Sequence, residues 1–287
     1  MDKKIAGLAP LFLLVLATGL SFLSGCSATV SNTRFFSEAH TQGMRHRIVT
    51  VDGFAMTAFT RLQDASKPIH LYVEGDGKAW VSRAEPSADP TPRHAIGLQL
   101  ALGDPFANVI YLARPCQFSL HESPACTQAL WTSQRFSNQV VNAMNAAVNI
   151  LKAGHPDQPL ELVGYSGGAA IVVLLASRRD DVTSLRSVAG NLDHEAFNRY
   201  HKVSPMPDSL NPIDVANVLR GLPQIHFSGA DDTIVPSFIA ESFTLKTGGC
   251  ARIEVVEGVG HDSGWVEAWP RLLSETPSCK HGKTPGN

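Results

Sequence analysis

The chain has 287 residues, with 24 lysines and arginines against 26 aspartates and glutamates, and 44% hydrophobic residues. That apolar content excludes a disordered chain, and the length suffices for one large domain with a substantial core. The formal net charge is −2 and no lysine- or arginine-rich run occurs, so nucleic acid is not an expected partner.

The first element is an apolar stretch, Ile5 to Leu23, preceded by Lys3 and Lys4. It is long enough to be a membrane span, but it ends in Leu23-Ser24-Gly25-Cys26, and small residues at that point suit a signal peptidase. This ending resembles the lipobox of bacterial lipoproteins. The resemblance implies a signal peptide over 1–25, lipidation of Cys26 and a tether over 26–45. It also implies a protein of the bacterial cell envelope, held on the membrane by its lipid. Ser27 after the cysteine would favour the outer membrane, with the domain facing the periplasm. Four further cysteines follow, Cys116, Cys126, Cys250 and Cys279. An even number behind an export signal points to disulfides, and proximity favours Cys116–Cys126 and Cys250–Cys279. The spacing fits neither a redox Cys-x-x-Cys pair nor a compact zinc site.

Past residue 45 the pattern turns to strands and helices. Arg47 to Val51 and Phe54 to Leu62 flank Asp52-Gly53, a hairpin dipeptide. Ile69-His70-Leu71-Tyr72-Val73 reads as a buried strand ending in Glu74-Gly75-Asp76-Gly77. A proline-rich loop at 86–92 leads to a helix near 94–102 and a strand at 108–112. A helix is expected over 133–153 from Phe136, Val140, Val141, Met144, Ala147, Val148 and Leu151 near helical spacing. A strand at 160–164, an apolar helix at 169–177 and strands at 185–189, 224–227 and 253–256 follow. A helix near 238–246 lies between the last two strands, and a final helix follows His261. The polar segment 193–223 is either a small cap over the carboxyl edge of the sheet or a long surface loop. Strands alternating with helices predict an α/β fold: a mostly parallel central sheet with helices on both faces.

Gly164-Tyr165-Ser166-Gly167-Gly168 matches Gly-x-Ser-x-Gly. The motif is informative because it falls between a predicted strand and a predicted helix, where a nucleophile elbow belongs. A serine hydroxyl needs a base, and His261 stands on the loop after the last predicted strand. The imidazole needs an acid to fix its tautomer, and Asp231 and Asp232 both follow a strand and precede a helix. The run Gly229-Ala230-Asp231-Asp232-Thr233-Ile234-Val235-Pro236 resembles the Gly-x-x-Asp-x-x-Val-Pro signature of α/β hydrolases, and that alignment selects Asp232. With the elbow and the late histidine, the chain resembles the α/β-hydrolase superfamily of esterase- and lipase-like serine hydrolases from about Ile69 to Trp269. The resemblance implies an α/β-hydrolase fold and an oxyanion hole of two backbone N–H groups. Gly167 would give the first, and Asp76 or Gly77 the second. The β-strand end at Glu74-Gly75 departs from the His-Gly of many relatives, and Glu74 is a candidate brace for that loop.

The expected reaction is hydrolysis of a carboxylic ester or thioester, from a small-molecule or lipid-like substrate, through an acyl-enzyme. An amidase or peptidase would use the same residues. A non-catalytic envelope protein on the same fold is the alternative from another class, and a fluorophosphonate probe separates the two, since it labels only an activated serine. No histidine motif for metal is present, so neither a catalytic metal nor another cofactor is expected. Lys78 and Trp80 read as an exposed lysine and a packing tryptophan, with substrate contact as the alternative. Trp131, Arg135 and Phe136 read as anchors of the disulfide loop, and Trp265 and Trp269 as the packed face of the last helix. Nothing in the sequence specifies the oligomeric state.

Overall fold

The computed structural model describes residues 26–279. The expected signal peptide lies outside the described residues. An eight-stranded sheet forms the centre. Its strands are β1 (Arg45–Val51), β2 (Phe54–Leu62), β3 (Ile69–Val73), β4 (Asn108–Leu112), β5 (Leu160–Tyr165), β6 (Val182–Val188), β7 (Gln224–Gly229) and β8 (Ala251–Val256), in the order β1-β2-β4-β3-β5-β6-β7-β8. β2 runs antiparallel to β1 and β4, and every other pairing is parallel. The helices are α1 (Cys26–Thr41), α2 (Ile96–Leu102), α3 (Asn138–Leu151), α4 (Gly167–Ala176), α5 (His194–His201), α6 (Phe238–Thr247) and α7 (Trp265–Ser274).

Residue alternation along the strands builds two cores. Ile69, Leu71 and Val73 of β3 face one, with Leu160 and Leu162 of β5, and α3, α4 and α6 cover it. Tyr72 and Val163, one residue out of phase, face the other core, under α1, α2 and α7. Burial on both faces explains why the central strands read as short apolar runs.

The order of strands also fixes where a site can form. From β3 the chain steps outward to β4, then crosses back to lay β5 on the other side of β3. A crevice opens at the carboxyl ends of strands where the winding reverses, and β3 and β5 end there.

The segment 26–45 is not a tether throughout. Cys26–Thr41 is helical, with Phe35 and Ala39 buried in the second core and the Phe36 ring stacked on His46 at 4.7 Å. Among the described side chains of the helix three apolar ones on one turn dock it, too few to stand out from a polar stretch. The helix expected over 133–153 begins only at Asn138, because the Ser137 hydroxyl caps it by accepting from the Val140 N–H at 3.4 Å. Residues 193–223 divide in two. Helix α5 and the turn after it line the cavity described below, whereas the 3₁₀ stretch Pro212–Leu219 packs against α4 and α6. Both disulfides are formed, Cys116–Cys126 and Cys250–Cys279.

Candidate active site

Ser166 sits at the turn from β5 into α4 with φ 51° and ψ −117°, a conformation that costs a residue with a Cβ about 1–3 kcal/mol. Close packing on either side holds it there. A Cβ on Gly164 would stand 2.5 Å from the Ala169 Cα, and one on Gly168 would stand 2.3 Å from the Val73 carbonyl oxygen. The two glycines let α4 press against β5 and β3, which lifts the serine out of the sheet's edge.

Three loops from separate strands converge on it. Ser166 Oγ lies 3.1 Å from His261 Nε2, and His261 Nδ1 lies 2.9 Å from Asp232 Oδ2. The Asp232 carboxylate is fully buried, and its other oxygen accepts from the N–H groups of Ile234 and Val235, each at 2.8 Å. Asp231 is exposed, so the geometry chooses between the two aspartates. The Tyr165 hydroxyl shares its proton between the His261 carbonyl at 2.9 Å and Asp262 Oδ1 at 2.7 Å. Burial, then the neighbouring Asp262 carboxylate, pushes the Tyr165 phenol well up, so it stays a donor. The Trp265 indole N–H donates to the same His261 carbonyl at 3.0 Å. Trp265 and Trp269 are buried as expected, and Trp265 in addition steadies the histidine loop.

The loop after β3 is braced by Glu74. Its carboxylate accepts from the N–H groups of Gly75 (2.9 Å), Gly97 and Leu98 (both 3.1 Å) and from the Tyr111 hydroxyl (3.0 Å). Burial pushes its pKa up, opposed by these four donors. The N–H groups of Asp76 and Gly77 have no protein acceptor among the described residues. The Asp76 carboxylate lies directly over Gly167, where a Cβ would meet its Oδ1 at 1.9 Å. Asp76 is itself gripped by Arg114 Nη1 at 3.1 Å and Arg135 Nε at 3.2 Å, and Gln117 donates to the Gly75 carbonyl at 2.9 Å. Arg114 and Gln117 flank Cys116, so the disulfide loop holds the β3 loop. Sequence reasoning misses Arg114, Gln117, Tyr165 and Asp262 and gives Arg135 only an anchoring part. Their partners lie far away in the chain, and only Tyr165, inside the elbow motif, carries any local mark.

A cavity of about 1070 Å³ opens on Ser166 and His261. Lys78 and Trp80 line it, and Trp80 is exposed rather than packed into the core. Trp131 serves as an anchor, its indole N–H donating to the Ser87 carbonyl at 3.1 Å. Among the described residues no cluster of histidine, cysteine and acidic side chains is arranged to hold a metal ion.

No protein-family model matches the chain. No curated protein sequence matches it either. Solved structures do. A putative lipase from Acinetobacter baumannii superposes with a TM-score of 0.55 at 15% identity, over 85% of this chain and 93% of that one. A Pyrococcus furiosus esterase gives 0.54 at 13% identity, over 82% and 89%. A puromycin-hydrolyzing peptidase of Mycobacterium tuberculosis gives 0.56 at 14% identity, over 81% of this chain but 38% of that one. Together with the strand order and the elbow between β5 and α4, these likenesses show that the chain has the α/β-hydrolase fold.

Proposed function

We propose that the protein is a serine hydrolase that cleaves carboxylic esters or thioesters through an acyl-enzyme. The observation that carries this reading is the continuous relay Ser166 Oγ, His261 Nε2, His261 Nδ1, Asp232 Oδ2, with gaps of 3.1 and 2.9 Å. In the proposed reaction, Ser166 attacks the carbonyl carbon while His261 takes its proton, and Asp232 stabilises the imidazolium. The oxyanion is held by the N–H of Gly167 and that of Asp76, with Gly77 as the alternative. His261 returns the proton to the leaving group, then activates water to release the acid.

The neighbours include an esterase, a lipase and a peptidase, so the scissile bond is decided by experiment. A fluorophosphonate probe should label the folded protein and not Ser166→Ala. A panel of acyl esters of graded chain length, beside matched amides, should show ester turnover that Ser166→Ala abolishes. Equal labelling of both proteins, or amide turnover exceeding ester turnover, would overturn the reading.

The envelope location belongs to the same proposal. Lipidation at Cys26 would supply more than one acyl chain, and stable anchoring needs two signals. Mass spectrometry of the mature protein should find diacylglyceryl on Cys26, lost in Cys26→Ser. A chain still carrying Met1 would contradict it.

A further inference from the structure

Buried donors ordinarily find acceptors, and among the described residues the Arg135 guanidinium has only its ion pair with Asp76. Arg135 is 8% exposed and lines the cavity that opens on Ser166. Its Nε is buried without a hydrogen-bond partner. Its nearest acid is Asp76, at 3.2 Å from Nε, and its face lies 5.3 Å from the centre of the Phe136 ring. Asp76 is shared with Arg114, at 3.1 Å, so two guanidinium groups stand against one carboxylate. Arg114 is fixed behind the wall, with Nη1 on Asp76 and Nη2 on the Arg135 carbonyl. Arg114 Nε is equally without a hydrogen-bond partner, but of the two arginines only Arg135 lines the cavity, so the part of the shared positive charge within reach of a ligand is at Arg135.

Further cations stand on the same wall. Lys78 and Arg93 line the cavity, and neither side chain has a hydrogen bond or ion pair among the described residues. The three acids of the lining are engaged. Glu74 holds four donors, Asp76 faces the two arginines, and Asp262 accepts from Tyr165. By formal charge the lining sets Lys78, Arg83, Arg93 and Arg135 against Glu74, Asp76 and Asp262, an excess of one positive charge in a chain whose net charge is −2, which suits an anion from outside.

We infer that Arg135, with Lys78 and Arg93, forms an anion subsite that holds a carboxylate or phosphate group of the substrate beside the bond Ser166 cleaves. The inference rests on the hydrolase function proposed above and narrows its substrate to acidic esters. A planar fork of donors suits either oxyanion in a bidentate pair, and the low-dielectric wall around it strengthens the contact.

The test compares three p-nitrophenyl esters: the butyrate, the hemiglutarate and the 4-phosphonobutyrate. The kcat/KM of an acidic ester should exceed that of the butyrate by about tenfold or more, the worth of one charge-assisted hydrogen bond. The preference should lie in KM and shrink with added salt. Whichever acidic arm is favoured identifies carboxylate or phosphate as the group recognised. Arg135→Gln should bring the ratio of acidic to neutral ester close to one, and the double variant Lys78→Gln/Arg93→Gln should lower it without touching the buried cluster. A ratio at or below one in the unaltered protein, or one unmoved by both variants, overturns the inference. If no ester is cleaved, calorimetric titration of Ser166→Ala protein with glutarate and with inorganic phosphate decides separately. Binding that the Lys78→Gln/Arg93→Gln change weakens keeps the subsite while the hydrolase function falls, and no binding removes the subsite.

Discussion

Ser166 holds its hydroxyl toward His261 from a backbone with φ 51°, and the two facts are linked. The strained turn is what points the side chain off the sheet edge, so the proposed function and the strain reside in one residue. Ser166→Gly and Ser166→Ala both remove the proposed nucleophile, but only glycine relieves the turn. Ser166→Gly should be the more stable of the two by about 1 kcal/mol in denaturant unfolding, and a lower midpoint for the glycine variant would refute the strain. The acid behaves differently. Asp232→Asn leaves the shape of the relay while removing the charge that favours an imidazolium, and should lower turnover by about 10³–10⁴-fold. Asp231→Asn, on an exposed side chain, should change turnover by less than about twofold. The reverse pattern would move the acid to Asp231. At this scale the sequence is readable where a residue type and a local motif coincide, as at Ser166, Asp232 and His261. It is silent where a contact joins distant loops, as between Arg114 and Asp76, 38 residues apart, or Tyr165 and Asp262, 97 apart.

Among the elements, the loop after β3 depends on its neighbours more than on itself. Glu74 ties it to the start of α2, and Gln117 ties it to the loop closed by Cys116–Cys126. Glu74→Gln keeps the volume but sets an NH₂ group against N–H donors, leaving about one buried donor unmatched at a cost of about 1–3 kcal/mol. It should also lower kcat more than it raises KM, because the proposed second oxyanion donor is carried on the same loop. A stability loss with kcat intact would separate the brace from the oxyanion hole. The central strands and α3 are legible in the sequence, because burial on both faces leaves unbroken apolar runs and an amphipathic helix keeps its stripe. Helix α1 is not, since among its described side chains Phe35, Phe36 and Ala39 dock it on the core. The two roles of 193–223 are equally hidden, because packing against α4 and α6 depends on neighbours distant in the chain.

Over the whole molecule, the balance of protons sets the range of pH in which the fold persists. His226 is buried in β7, with Nδ1 2.8 Å from the Ser187 hydroxyl and Nε2 without a partner, and burial lowers its pKa from 6.5 to about 3. Between those values the unfolded chain binds a proton that the folded chain refuses. Its contribution is therefore fully present above pH 6.5 and declines as pH falls toward 3. From this residue alone the loss reaches about 2 kcal/mol at about pH 5. Burial also lowers His194 and His46, which adds to the loss with the same sign. Two carboxylates extend the decline to lower pH. Burial raises both, but His70 and Tyr72 outweigh it at Asp104, and Arg179 and Lys152 outweigh it at Asp181, so each lies below the ordinary 3.8. Their stabilisation is present above that value and is lost as pH falls through the depressed one. Glu74, pushed above 4.5 by burial, works in the opposite sense, because its folded form takes up a proton before the unfolded chain does. The histidines therefore govern the upper part of the acid limb and the paired carboxylates the lower part. Urea unfolding of the unaltered protein and of His226→Gln, each at about pH 7.5 and about pH 5, separates the two. Taking the change with pH within each protein cancels the constant cost of the substitution. The unaltered protein should lose about 2 kcal/mol more than the variant over this interval, and equal losses in both would show that the proton is taken up elsewhere than at His226.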